Sequence, residues 1–177
     1  MTHCAHGPRF ERRKSHGGRG FTLIELMVTI TILGILLAWA VPSFKDASLS
    51  SRLTAFANDL VASAQIARSE AIKRNAPVTL CRSTNGTACA GSGGWEDGWI
   101  VLSGTTVLQR HAALPSDFRI AQGTFGALIF PPDVVGATAA TFTVCRATPI
   151  GKQKRTVRIT ASGGTSVARV DSATTCP

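Results

Sequence analysis

From Phe21 to Phe44 the chain reads FTLIELMVTITILGILLAWAVPSF, and Glu25 is its only charged residue. A run of about 20 apolar residues is what a helix needs to cross the roughly 30 Å hydrocarbon layer of a bilayer. A helix satisfies its own backbone polar groups in lipid, so a membrane-spanning helix is predicted over 21–44. After Lys45 the pattern becomes one-sided. Leu49, Leu53, Phe56, Leu60, Ala64, Ala67 and Ala71 recur at steps of three and four, with Val61 and Ile72 widening the stripe. Arg52, Asn58, Asp59, Gln65, Arg68, Lys73 and Arg74 fill the other faces. That spacing predicts an amphipathic helix continuing the first, over 45–76. Asn75 and Pro77 are its stop signals. Unbroken from about Thr22 to Arg74, such a helix would be about 80 Å long. Its first half needs lipid or other subunits to cover it, whereas its second half can bury its stripe against the C-terminal part of the chain.

From Pro77 onward the period shortens. PVTLCR, WIVLS, TVLQRH, FRIAQ, ALIF, TFTVCR, RTVRITA and SVARV are short, rich in β-branched residues and separated by Gly, Ser, Asn, Asp and Pro. These are strand signals. Ser103-Gly104 is the expected hairpin turn between WIVLS and TVLQRH. The fold class is α+β: a long N-terminal helix packed on one or two antiparallel sheets, with residues 77–177 as a β-rich head.

Charge orients this design. Arg9, Arg12, Arg13, Lys14 and Arg19 precede the apolar run against one acid, Glu11. This bias holds the N-terminus in the cytoplasm, so the head lies beyond the inner membrane, in the periplasm. The formal net charge is +9. The segment before Phe21 contributes +4 of it, so the basic character is partly a targeting feature. Glu25 is unfavourable in this setting without a partner: an ionisable group at the centre of a spanning helix costs about 2.5 to 3.5 kcal/mol on insertion scales, and less near its start, where Glu25 lies. A cut after Gly20 would supply a partner: the new amine on Phe21, of a kind that ionises near pH 8.

RGFTLIELMVTITILGILLAWAVP resembles the N-terminus of type IV pilins and of the pseudopilins of type II secretion. The resemblance implies that residues 1–20 form a leader removed by prepilin peptidase after Gly20. It implies N-methylation of Phe21 and docking of Glu25 against the N-terminus of a neighbouring subunit. Pro42, which as a helix-interior proline breaks a backbone bond and kinks the helix, also fits that pattern. ARSEAIKRNAPVTLC, a further Cys and WEDGWIVL are similar to the GspH/FimT branch in particular, giving a pilin-like fold. The implied function is a non-enzymatic minor pilin or pseudopilin that assembles with other pilins through its N-terminal helix. Ala38-Trp39-Ala40 offers a rival, an ordinary signal cleavage releasing a soluble exported domain from Val41. Against that stand Glu25 and the uninterrupted helical pattern.

Cys4 lies in the leader, which leaves Cys81, Cys89, Cys145 and Cys176. An even number in an exported head reads as two disulfides, and four cysteines allow three pairings. The expected pairing is local, Cys81 with Cys89 and Cys145 with Cys176. In the chain-entropy account these bonds contribute about 2.6 and about 3.7 kcal/mol. Zinc is disfavoured because the spacings lack a short C-x₂₋₄-C knuckle and only His111 follows the leader. Disulfides suit a surface-exposed pilus head, which leans the assembly reading toward the pilus.

No catalysis and no cofactor are predicted. His111 lacks a nucleophile partner and reads as a surface or edge-strand residue. Glu96 and Asp97 are neighbours in a turn and seldom converge on one atom. Trp95 and Trp99 read as core packing, with Asp97-Gly98 as a turn between them. Nucleic acid is the alternative partner. No acid lies between Val134 and Val170, while Lys152, Lys154, Arg155, Arg158 and Arg169 do. Lys152 to Arg155 reads as an exposed loop entering a strand, able to neutralise phosphates. Members of this branch that take up DNA resemble one another in a C-terminal Gly-Arg-x-Arg motif. The corresponding Ser162-Gly163-Gly164-Thr165-Ser166 lacks its arginines.

Overall fold

The computed structural model describes residues 20–123, 126–133, 136–172 and 176. Residues 1–19 of the expected leader, with Cys4, lie outside the described residues, as does the side chain of Pro42. Residues up to Ser43 and residues from Phe44 onward form separate units.

Helix α1 runs Leu23–Arg74. In the first unit its described side chains are exposed, including Leu23, Leu33, Leu37 and Trp39. By length and composition this stretch is apolar enough to cross a membrane.

In the second unit, α1 ends as its sequence predicts. Asn75 adopts the left-handed conformation at φ 49°. Its N–H donates to Ile72 O at 3.3 Å and that of Ala76 to Ala71 O at 3.2 Å. These two bonds satisfy carbonyls that the helix end would leave orphaned.

Eight strands follow among the described residues: β1 Val78–Arg82, β2 Trp99–Ser103, β3 Thr106–His111, β4 Phe118–Gln122, β5 Leu128–Phe130, β6 Ala140–Arg146, β7 Gln153–Ile159 and β8 Thr165–Asp171. They form two four-stranded antiparallel sheets, ordered β3-β2-β1-β5 and β4-β6-β7-β8. The β2–β3 turn is Gly104-Thr105, one residue later than expected, because Ser103 still pairs with Thr106. Gly104 takes φ 57°, which a residue with a Cβ rarely adopts.

The core lies between the second half of α1 and both sheets. Leu53, Ala57, Leu60, Ala64, Ala67 and Ala71 meet Leu80, Val101, Phe118, Phe142, Val144 and Val157, all buried. The alanines let the strands come close to the helix axis. Three positions depart from the expected stripe: Ile72 is half exposed, whereas Ala57 and Ser63 are fully buried. The indole N–H of Trp99 explains Ser63, donating to its Oγ at 2.9 Å. Trp95 is also buried, with its N–H on Gln122 Oε1 at 2.7 Å and its ring edge-on to Phe142.

Candidate functional site

The residues expected to serve processing and assembly lie at and just before the start of α1. Gly20 and Phe21 are exposed and precede the helix. Thr22 caps it: the N–H of Glu25 donates to Thr22 Oγ1 at 3.2 Å, and that of Leu26 to Thr22 O at 3.1 Å. Thr22-x-x-Glu25 is therefore a capping-box sequence, a helix-start signal that hydrophobic periodicity alone passes over. Glu25 stands in the first turn, where the helix dipole favours an anion by about 0.3 to 1 kcal/mol. In the chain, Glu25 stands four residues after Phe21, where the expected cut after Gly20 would create a positive charge.

The basic cluster expected to be one exposed loop is dispersed. Strand β7 begins at Gln153, so Lys154 and Arg155 belong to the sheet and are buried, which corrects the reading of Lys152 to Arg155 as a loop. Strand alternation separates the charges. Arg155 shares the helix-facing side with Val157 and Ile159, whereas Lys154 and Arg158 take the opposite face. Arg155 donates from Nε to Thr54 Oγ1 at 3.0 Å and from Nη2 to Ser50 Oγ at 2.7 Å, fastening β7 to α1. Burial, then the nearby charge of Arg169, lowers its pKa from the ordinary guanidinium value, while Asp171 opposes the shift. Arg169 pairs in register with Arg155 and is bonded to Asp171 at 2.9 Å. Only Lys152, Arg158 and Arg169 of the five are exposed. The tip of the β7–β8 hairpin, where the DNA-uptake motif would stand, is occupied structurally. Arg68 of α1 donates to the carbonyl of Ser162, and Gly163 at φ 73° leaves room for that side chain where a Cβ would collide with it.

The residues considered for catalysis are likewise structural. His111 lies on the edge strand β3, stacked on Trp99 with ring centroids 3.8 Å apart. Its Nε2 is 3.2 Å from Asp59 of α1, tying the sheet edge to the helix. Glu96 and Asp97 diverge. Asp97 Oδ2 accepts from Gly94 N–H at 2.9 Å, while Glu96 meets the N–H of Ile120 and the guanidinium of Arg119.

The four cysteines among the described residues are joined, Cys81 to Cys89 and Cys145 to Cys176. The first closes the loop after β1, which Arg82 fills by donating to the carbonyls of Ala90, Gly91 and Gly93. The second ties the C-terminal residues to β6.

A long helix that is apolar and uncovered in its first half, carries one capped carboxylate at its start and packs its second half on antiparallel sheets defines a pilin-like subunit. Residues 16–41 match the prokaryotic N-terminal methylation motif, and residues 57–163 match the family described as type II transport protein GspH. The chain belongs to the GspH family. It is 48% identical over 44 residues to the type IV major alpha-pilin of Moraxella bovis, covering 25% of this chain and 28% of that one. It is 32% identical over 73 residues to the type IV major fimbrial protein FimA of Dichelobacter nodosus, covering 41% and 37%. The chain thus spans less than two-fifths of the length of these curated relatives. The crystal structure of the type IV minor pilin FimU of Pseudomonas aeruginosa superposes with a TM-score of 0.52 at 18% identity. That match covers 69% of this chain and all of FimU, a likeness of fold.

Proposed function

We propose that this chain is a non-enzymatic minor subunit, anchored in the bacterial inner membrane with its head in the periplasm. It assembles into or caps a type IV pilus or a type II secretion pseudopilus. Prepilin peptidase removes residues 1–20, Phe21 is N-methylated, and residues 21–44 anchor the subunit before it enters the filament. In the filament, Glu25 neutralises the Phe21 ammonium of a neighbouring subunit, and the apolar helix halves bundle. Residues 77–177 form the head, clamped by the two disulfides.

The observation that carries this reading is the uncovered apolar half of α1 with one carboxylate in its first turn. Such a surface is stable only in lipid or against other helices of the same kind. Mass spectrometry of the native protein tests it: the mature chain is expected to begin with N-methylated Phe21. A chain beginning at Val41 and recovered without membrane would overturn it.

A further inference from the structure

The second unit opens with a pocket of about 430 Å³ between the start of its helical segment and the ends of β4 and β6. Phe44, Lys45, Arg52, Asp117, Arg146 and Pro149 are among its lining residues, three cations against one acid. Arg146 is incompletely satisfied: its Nε is buried without a hydrogen-bond partner, and the Asp117 carboxylate stands 3.5 Å away. None of the ion pairs among the described residues involves Lys45 or Arg52. The pocket therefore holds an excess of positive charge, and its missing component is an anion with several acceptor oxygens.

Chain position narrows that anion. Lys45 is the first charged residue after Glu25, at the end of the apolar run. Phe44 to Arg52 covers about 12 Å of helix, enough to cross the roughly 5 to 7.5 Å of headgroup layer on one side of the hydrocarbon core, and long cationic side chains reach along it. Phe44 and Ile150, next in the chain to Pro149, are 76% and 57% exposed. Apolar residues beside clustered cations are what an interfacial surface presents to acyl chains and phosphates.

We propose that this pocket binds the phosphate headgroup of an anionic phospholipid, seating the head on the membrane before the subunit is drawn into a filament. The proposal rests on the reading of residues 21–44 as a membrane anchor. Arg52 and Arg146 bond the phosphate oxygens, Lys45 adds charge, and Phe44 and Ile150 lie against the acyl chains. A zwitterionic headgroup carries its own cation beside the phosphate and competes poorly.

The test uses the full chain in neutral detergent micelles. Backbone amide resonances are followed during titration with short-chain phosphatidylglycerol, short-chain phosphatidylcholine or inorganic phosphate. Phosphatidylglycerol is expected to give saturable shifts at Leu49, Phe118 and Arg146, and Arg52→Gln to weaken binding about fivefold. Arg52 lies on an exposed helix face, so this variant keeps the fold. Equal binding of phosphatidylcholine, equal binding of inorganic phosphate, or an unchanged affinity in Arg52→Gln would each overturn the proposal. So would shifts produced only by an acidic pilin subunit, which would make the pocket a protein contact. Flotation with vesicles separates this from the anchor reading. The chain and Arg52→Gln should both float with phosphatidylcholine vesicles through residues 21–44, and failure of both to float with any vesicle overturns anchor and pocket together.

Discussion

Thr22 and Glu25 are joined across the first turn of α1, the backbone N–H of Glu25 donating to Thr22 Oγ1 at 3.2 Å. The acid of the apolar segment is therefore also a helix-start residue, and its local role and its proposed intermolecular one have to be separated by experiment. Thr22→Val removes the capping oxygen and should cost about 1 kcal/mol. Amide exchange at Glu25 and Leu26 should then rise roughly fivefold, and Glu25→Gln, which keeps a capping-box side chain, should leave it nearly unchanged. Equal exchange in Thr22→Val and the native chain would show that the cap contributes nothing.

The Trp99 to Ser63 bond is buried, with both residues essentially inaccessible. Ser63→Ala leaves the indole N–H without an acceptor and should destabilise the head by about 1 to 3 kcal/mol. Trp99→Phe in the Ser63→Ala background should recover part of that cost, because the stranded donor is gone. Thermal melts of the two single variants and the double variant check this, and strictly additive losses would refute the coupling.

The two disulfides close chain separations of 8 and 31 residues. Loop entropy predicts that Cys176→Ser lowers stability more than Cys89→Ser, by about 3.7 against about 2.6 kcal/mol. Chemical denaturation of each variant, with its leftover partner also changed to Ser, measures the order. A reversed order would mean that local packing of the Arg82-filled loop outweighs chain entropy.

Glu70 accepts from Arg74 Nε at 2.8 Å and from Lys73 Nζ at 3.1 Å on the last turns of α1. Those bonds, that of Arg74 first, hold its carboxyl below its ordinary value of 4.5. A depressed folded value means that the contribution is full above the ordinary value and is lost as pH falls through the folded one. Native chain and Glu70→Gln should therefore differ slightly in Tm at pH 6 and converge in acid, with high salt shrinking the gap. A gap that widened in acid would contradict the assignment.

The helix, its end and the succession of strands along the chain were legible because each rests on local chemistry. Asn75 provides a left-handed cap, and β-branched runs bounded by Gly and Pro mark strands. The two-sheet partition was not legible, since β1 pairs with β5 and β4 with β6 across long loops that local pattern does not encode. Lys154 and Arg155 were misplaced because cationic runs usually mark solvated loops, and only the register of β7 against α1 reveals acceptors waiting at Ser50 and Thr54. Ser63 escaped notice for a similar reason, as its burial depends on a tryptophan 36 residues away. Of the residues proposed for processing and assembly, Gly20, Phe21 and Glu25 were visible as a motif, while the cap at Thr22 needed the geometry.

The central claim is that the charge of Glu25 serves assembly beyond its local role. Quantifying Glu25→Gln in sheared filaments against the membrane fraction tests this most directly, because the variant keeps size and capping ability and removes only the anion. The account predicts normal cleavage and membrane residence with near-complete exclusion from filaments. Incorporation at the native level would contradict it.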